Sequence, residues 1–295
     1  MKSKQLLLGR LVMTACVAAV LLLAGAAIPG AGAPGQSAKS VVLEYKMPAG
    51  RILKYASKED MTQVSETMGQ KIETLVVSTS VCSFAPKGLK GKDHLLAVTI
   101  DDKAISITGM QGDLSPDLSS VKGKSFDMVL SPLGAEVDVS GAEAISYVST
   151  AGPRNVATDF KVFFPDLPGK PVKIGDSWPS GYAVDEKAGS VDMRLEFRLV
   201  NTLEGFETVD GMECARVVSK VTGSISGSGS QQGMDMLFGG AIAGTDVWHF
   251  APKEGVLVKS TSDVVTDMTI TVSGAQAMTI PTKQTRKSEI KLSGR

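Results

Sequence analysis

A chain of 295 residues with 31 basic and 31 acidic side chains has no net charge, so it lacks the positive surplus that nucleic acid recruits, and no nucleic-acid partner is expected. Its 2 histidines and 3 cysteines are too few and too scattered for a Cys/His metal centre, and neither a metal nor any other cofactor is expected.

The first element is an export signal. Lys2, Lys4 and Arg10 make a positive start, and Leu11 to Ile28 is an uncharged, mostly apolar run closing on Ala24-Gly25-Ala26-Ala27, where cleavage after Ala26 or Ala27 fits. Residues 1–27 therefore read as a signal peptide. The run, about 18 residues, also reaches the lower bound for crossing a bilayer, so an uncleaved anchor stays open, with membrane contact confined to this segment. Met13-Thr14-Ala15-Cys16 loosely resembles a lipoprotein box, but Cys16 lies inside the run rather than at its end. Each version addresses the body to the periplasm, the cell envelope or the exterior. Loss of the segment removes three positive charges and leaves 28 − 31 = −3.

Residues 28–40, with Pro34 to Lys39 at their centre, read as a flexible spacer, and folding is expected to begin near Val41. Beyond it, period-two alternation predicts an all-β body of long, bent antiparallel strands. Val191, Met193, Leu195, Phe197 and Leu199 alternate with Asp192, Arg194, Glu196 and Arg198, one face buried and the other wet. Val256, Val258, Val264, Met268, Ile270 and Val272 share a parity with Ser260, Ser262 and Thr266, as one bent strand or two broken near Asp263. The adjacent Asp101 and Asp102 suggest a turn. Ala142 to Thr158 is the best helical candidate, interrupted by Pro153. Gly223 to Gly244 reads as a hairpin tip, with Met234, Met236, Leu237 and Phe238 available as a soft apolar lid.

Two stretches repeat. Ser125 to Val137 and Asp246 to Val258 are both strand, Pro-to-Gly turn, strand; Ala97-Val98-Thr99 matches Val217-Val218-Ser219, Ile105 matches Ile225, and Gly109 matches Gly229, at an offset of about 120. The series suggests a duplication into two similar half-barrel or sandwich-like β units, 41–160 and 161–295, although one continuous sheet of successive hairpins would give the same pattern. Cys82 and Cys214 fall one in each unit, as a possible disulfide or as two buried thiols.

Phe163 to Trp178, FFPDLPGKPVKIGDSW, resembles the signature of an uncharacterised family of bacterial exported and lipoprotein-like β proteins, to which no function is attached. Within it Pro168 stiffens a connection, Gly175 and Asp176 make a tight turn, and Trp178 plugs the core at the start of the next strand. A looser likeness is to envelope half-barrel carriers, whose bent sheet wraps a greasy cavity. Gly175-Asp176-Ser177 with Asp246 and His249 also resembles blocks of the Gly-Asp-Ser-Leu esterases, which would make Ser177 the nucleophile, His249 the base and Asp246 its orienter. Trp178 stands where that family has Leu, the serine block is mid-chain, and the α/β pattern is missing. No catalytic residue is therefore assigned. The function expected is a non-catalytic envelope protein binding an apolar or lipid-like ligand, with a scaffold holding an envelope protein partner as the alternative.

Overall fold

The computed structural model describes residues 40–110, 112–149, 152–188, 190–231, 234–274 and 277–294. The segment expected to be an export signal, residues 1–27, and most of the expected spacer lie outside them. In chain order the strands are β1 (Leu53–Thr67), β2 (Gln70–Lys90), β3 (Asp93–Gly109), β4 (Gly112–Asp113), β5 (Ser125–Leu130), β6 (Glu136–Asp138), β7 (Ser146–Ser149), β8 (Gly152–Asn155), β9 (Ser177–Ala188), β10 (Val191–Val209), β11 (Met212–Gln231), β12 (Met234–Ala251), β13 (Val256–Val272) and β14 (Met278–Gly294).

The fold is all-β. Twelve strands form one antiparallel sheet, ordered β6-β5-β3-β2-β1-β14-β13-β12-β11-β10-β9 with β4 on β3, and the sheet does not close into a barrel. Two five-strand meanders, β1-β2-β3-β5-β6 and β9 to β13, thus run in the same direction through the sheet, joined by β14. β7 and β8 form a separate hairpin.

Alternation sorts the side chains. The outer face is charged, with ladders such as Lys259–Glu289 and Arg194–Asp185 across neighbouring strands. The inner face is buried: Met193, Leu195 and Phe197 on β10 pack with Ile225, Phe238, Val264 and Ile270 from β11, β12 and β13. Glycines let the sheet coil tightly there. A Cβ on Gly223 or Gly240 would lie 2.3 or 2.4 Å from a carbonyl oxygen of the next strand, Glu196 or Asp267, so no larger residue fits. Pro179 lies on β9, an edge strand, where a missing N–H is tolerated.

A strap, residues 156–172, runs from β8 toward β9 over the inner side. Its Phe160, Phe163 and Phe164 pack edge to face and stacked against one another and against Tyr55, Phe84 and Phe126, so one core holds side chains from both ends of the sheet. The extended lead-in, Leu43, Tyr45 and Met47, is buried in the same core, and its Val41 bridges Val172 of the strap.

Several local expectations are corrected. Ala142 to Thr158 is not a helix: it holds the end of a 3-10 turn (Ser140–Ala144), the β7–β8 hairpin and a second 3-10 turn beginning at Ala157, because Pro153 and β-branched neighbours favour extended backbone. Gly223 to Gly244 is the closing end of the β11–β12 hairpin, mostly paired strand, with 232–233 outside the described residues, and Met236 and Phe238 are inner-face core rather than a lid. Asp101 and Asp102 lie within β3, not in a turn. β13 is a single unbroken strand through Asp263.

Candidate functional site

The inner face carries a polar stripe where alternation alone would place only apolar groups. Reading across the sheet in register, Asn201 faces Ser219, then Asp246, Ser262, Ser288, Glu59 and Ser78, one residue per strand from β10 to β2. These positions share the apolar parity of their strands, which is why Ser262 fell among the valines in the sequence.

A β-bulge adds a charge to this interior. Register shifts between Val81 and Cys82, so that Val81 faces Asp102 while Cys82 faces Ile100, and Asp101 is the extra residue. Before it Leu96, Val98 and Ile100 point inward; after it the odd-numbered residues do, and Lys103 enters the interior. Its ammonium meets the Asp159 carboxylate of the strap at 2.8 Å. Burial pushes Lys103 down, but Asp159 more than offsets this and holds it above its ordinary value. Beside this pair Arg154 of β8 donates to Glu186 of β9 at 2.8 Å, tying the small hairpin to the edge strand. The space around Lys103, with Glu59, Ser80, Cys82 and Phe163 in its walls, is about 30 Å³, room for a water molecule.

A larger cavity, about 240 Å³, lies on the other side of the Phe163-Phe164 pair, between the strap and β9, β10 and β12. Tyr182, Leu199, Trp248 and Phe164 make apolar walls, and Asp246, Glu136 and Asp166 add carboxyls. Glu136 accepts the Phe164 N–H at 2.8 Å, yet burial pushes its pKa up to about 8. Asp166 is raised by burial as well. Asp246 is 2 % exposed, and its Oδ1 has no hydrogen-bond partner among the described residues. Burial holds it well above the usual carboxylate range.

The indole of Trp248 and the hydroxyl of Ser219 are committed elsewhere, while Ser262 Oγ, opposite Asp246 on β13, makes no hydrogen bond among the described residues. Trp248 Nε1 donates to Ser219 Oγ at 3.0 Å, Ser219 Oγ donates to Asn201 Oδ1 at 2.6 Å, and Asn201 Nδ2 donates to Ser180 Oγ at 2.9 Å and to the Trp178 carbonyl at 3.3 Å. This chain of bonds passes Asp246 without reaching it. An unmatched buried carboxyl costs roughly 1–3 kcal/mol.

The three residues of the esterase resemblance are dispersed. Asp246 points inward; His249, three residues on, lies on the outer side with its Nε2 on the Glu207 carboxylate; Ser177 Oγ is bonded to Thr202 Oγ1 at 2.9 Å on β9, three strands from β12. Cys82 and Cys214 are buried free thiols on β2 and β11, five strands apart, so the disulfide is replaced by two separate buried sulfurs, Cys214 donating to the Met212 carbonyl at 3.4 Å. Burial raises their pKa values to about 12 and about 11.

Around the family-like stretch, Trp178 is buried against Trp248 at 6.1 Å and donates to the Asp166 carbonyl at 3.3 Å. Gly175 has φ +91° and bonds the Leu203 carbonyl, Asp176 Oδ2 accepts the Lys173 N–H, and Pro168 is half-buried in the strap. Among the described residues no three His, Cys, Asp or Glu side chains gather as a metal site would require. A wider groove outside the sheet, about 570 Å³, is walled by Lys58, Asp210, Glu289 and Lys291, in which Asp210 and Lys291 pair at 3.4 Å.

No known family profile and no curated protein matches the chain. A solved structure of a DUF1329 family protein from Desulfovibrio piger ATCC 29098 is similar over 81 % of this chain and 85 % of its own, at 10 % identity and a TM-score of 0.15, a likeness too slight to argue from.

Proposed function

We propose that this chain is a non-catalytic binding protein of the bacterial envelope that holds a small apolar or lipid-like ligand inside its curled sheet. One observation carries the reading: the cavity of about 240 Å³ has aromatic and aliphatic walls and, in Asp246 Oδ1, a buried carboxyl oxygen without a partner, the pattern of a site that binds by apolar contact and orients by a few polar groups. Its volume lies below the roughly 300 Å³ at which drug-sized sites begin, so the ligand is small, or only its end enters. The export signal of residues 1–27 supports the envelope as the place of action.

Titration of the purified exported chain with Nile red is the test. Saturable, blue-shifted emission that a medium-chain alcohol displaces is expected. Uptake that is absent or never saturates, together with a protein partner that stays bound through purification, would contradict the reading in favour of a scaffold.

A further inference from the structure

The polar end of the ligand can be named from what surrounds Asp246. Carboxyls from three elements border the cavity: Asp246 from β12, Glu136 from β6 and Asp166 from the strap. Against them stands one cation, Lys161, exposed at the rim. Arg286, a buried cation on β14, is directed at Glu59 at 3.6 Å. Tyr182, Trp248 and Phe164 supply aromatic rings, whose faces attract cations. A buried acceptor that neighbouring hydroxyls and indole pass by, inside an aromatic wall and an acidic surround, is complementary to a positively charged donor.

We infer that the cavity is a site for the protonated amine end of an amphiphile, with Asp246 as its counter-ion and the aromatic walls around the adjoining carbon chain. The inference rests on the ligand-binding reading above and narrows it to a chemical class.

In the empty site burial disfavours the charged form of Asp246 and raises its pKa well above the ordinary value. The titratable groups bordering the cavity with it are Tyr182 on β9, Glu136 on β6, and Asp166 and Lys161 on the strap, and Arg286 on β14 acts on Tyr182. An arriving ammonium replaces the missing countercharge: the Asp246 O–H bond breaks, its proton passes to buffer, and the carboxylate accepts a hydrogen bond from the ammonium. A carboxylate ligand would meet like charge, and an alcohol would gain one uncharged hydrogen bond.

Calorimetric titration of the exported chain at pH 7 with octylamine, octanol and octanoate, three probes of one chain length, tests this. Octylamine is expected to bind at least about tenfold more tightly than octanol, with octanoate weakest, and with a heat that varies with the ionisation enthalpy of the buffer. Asp246→Asn keeps the shape and is expected to lower octylamine to the affinity of octanol while leaving octanol unchanged. Asp246→Ser, which copies its neighbours Ser219 and Ser262 in the stripe, carries the comparison if Asn misfolds. Equal amine and alcohol affinities, or an amine preference that survives both substitutions, would overturn the inference while leaving the ligand-binding reading in place. Failure of all three probes to bind would remove both.

Discussion

Asp246 was visible in the sequence, but in the wrong role. An Asp three residues before a His invites a catalytic reading, yet odd spacing on a strand sends the two side chains to opposite faces, and the structure keeps them there. Tyr182, Glu136 and Asp166 carried no signal, because no spacing links them; only the strap brings them together. These buried carboxyls set a direction for pH. Asp246, Glu136, Asp166 and Glu186 are each raised by burial, so the folded chain keeps protons that the unfolded chain releases above about pH 4, and stability falls as pH rises through that window. For Glu136 the window runs from its ordinary 4.5 to about 8, with at most roughly 1.4 kcal/mol lost per pH unit. His249, lowered by burial, opposes this weakly below about pH 6.5. Thermal unfolding is expected to give a higher Tm at pH 5 than at pH 8, with Glu136→Gln flattening the slope. A Tm that climbs across that range would contradict the burial of these groups.

At the scale of elements, long strands were the most legible part. The alternation in Val191 to Leu199 and in Val256 to Val272 is that of β10 and β13, since one buried face and one wet face leave a period of two in the sequence. The bulge at Asp101 was not legible: a single extra residue shifts parity without altering composition, and it is what sends Lys103 inside. Gly-rich β11 and β12 read as a turn because glycine usually marks one, whereas here it admits the neighbouring backbone. Adjacent glycines on opposite faces make a direct test. Gly240→Ala would bring its Cβ to 2.4 Å from the Asp267 carbonyl oxygen, whereas Gly239→Ala meets nothing within 4 Å. Urea unfolding is expected to show Gly240→Ala less stable by about 1–3 kcal/mol and Gly239→Ala within about 0.5 kcal/mol of the parent. Equal effects would mean that the sheet is flatter than described.

For the whole molecule, the all-β class followed from alternation, while the curl that turns a sheet into a container depends on contacts between residues far apart in sequence. The strap closes that container. Arg154–Glu186 and Lys103–Asp159 fasten the β8-to-strap region to strands on opposite sides of the opening, and the phenylalanines between them divide the interior into a water-sized space and the cavity at Asp246. We propose that the two meanders descend from one duplicated unit, a reading that the repeated strand-turn-strand segments support and that superposition of Ser125 to Val137 on Asp246 to Val258 would check.

A ligand held in the interior would stay with the protein through gentle purification. Native mass spectrometry of the chain taken from its own host without detergent tests this most directly. A species heavier than the polypeptide is expected, whose excess mass is released by organic solvent as a small amphiphile. A single species at the mass of the bare polypeptide, with nothing recovered in the extract, would contradict the ligand-binding reading.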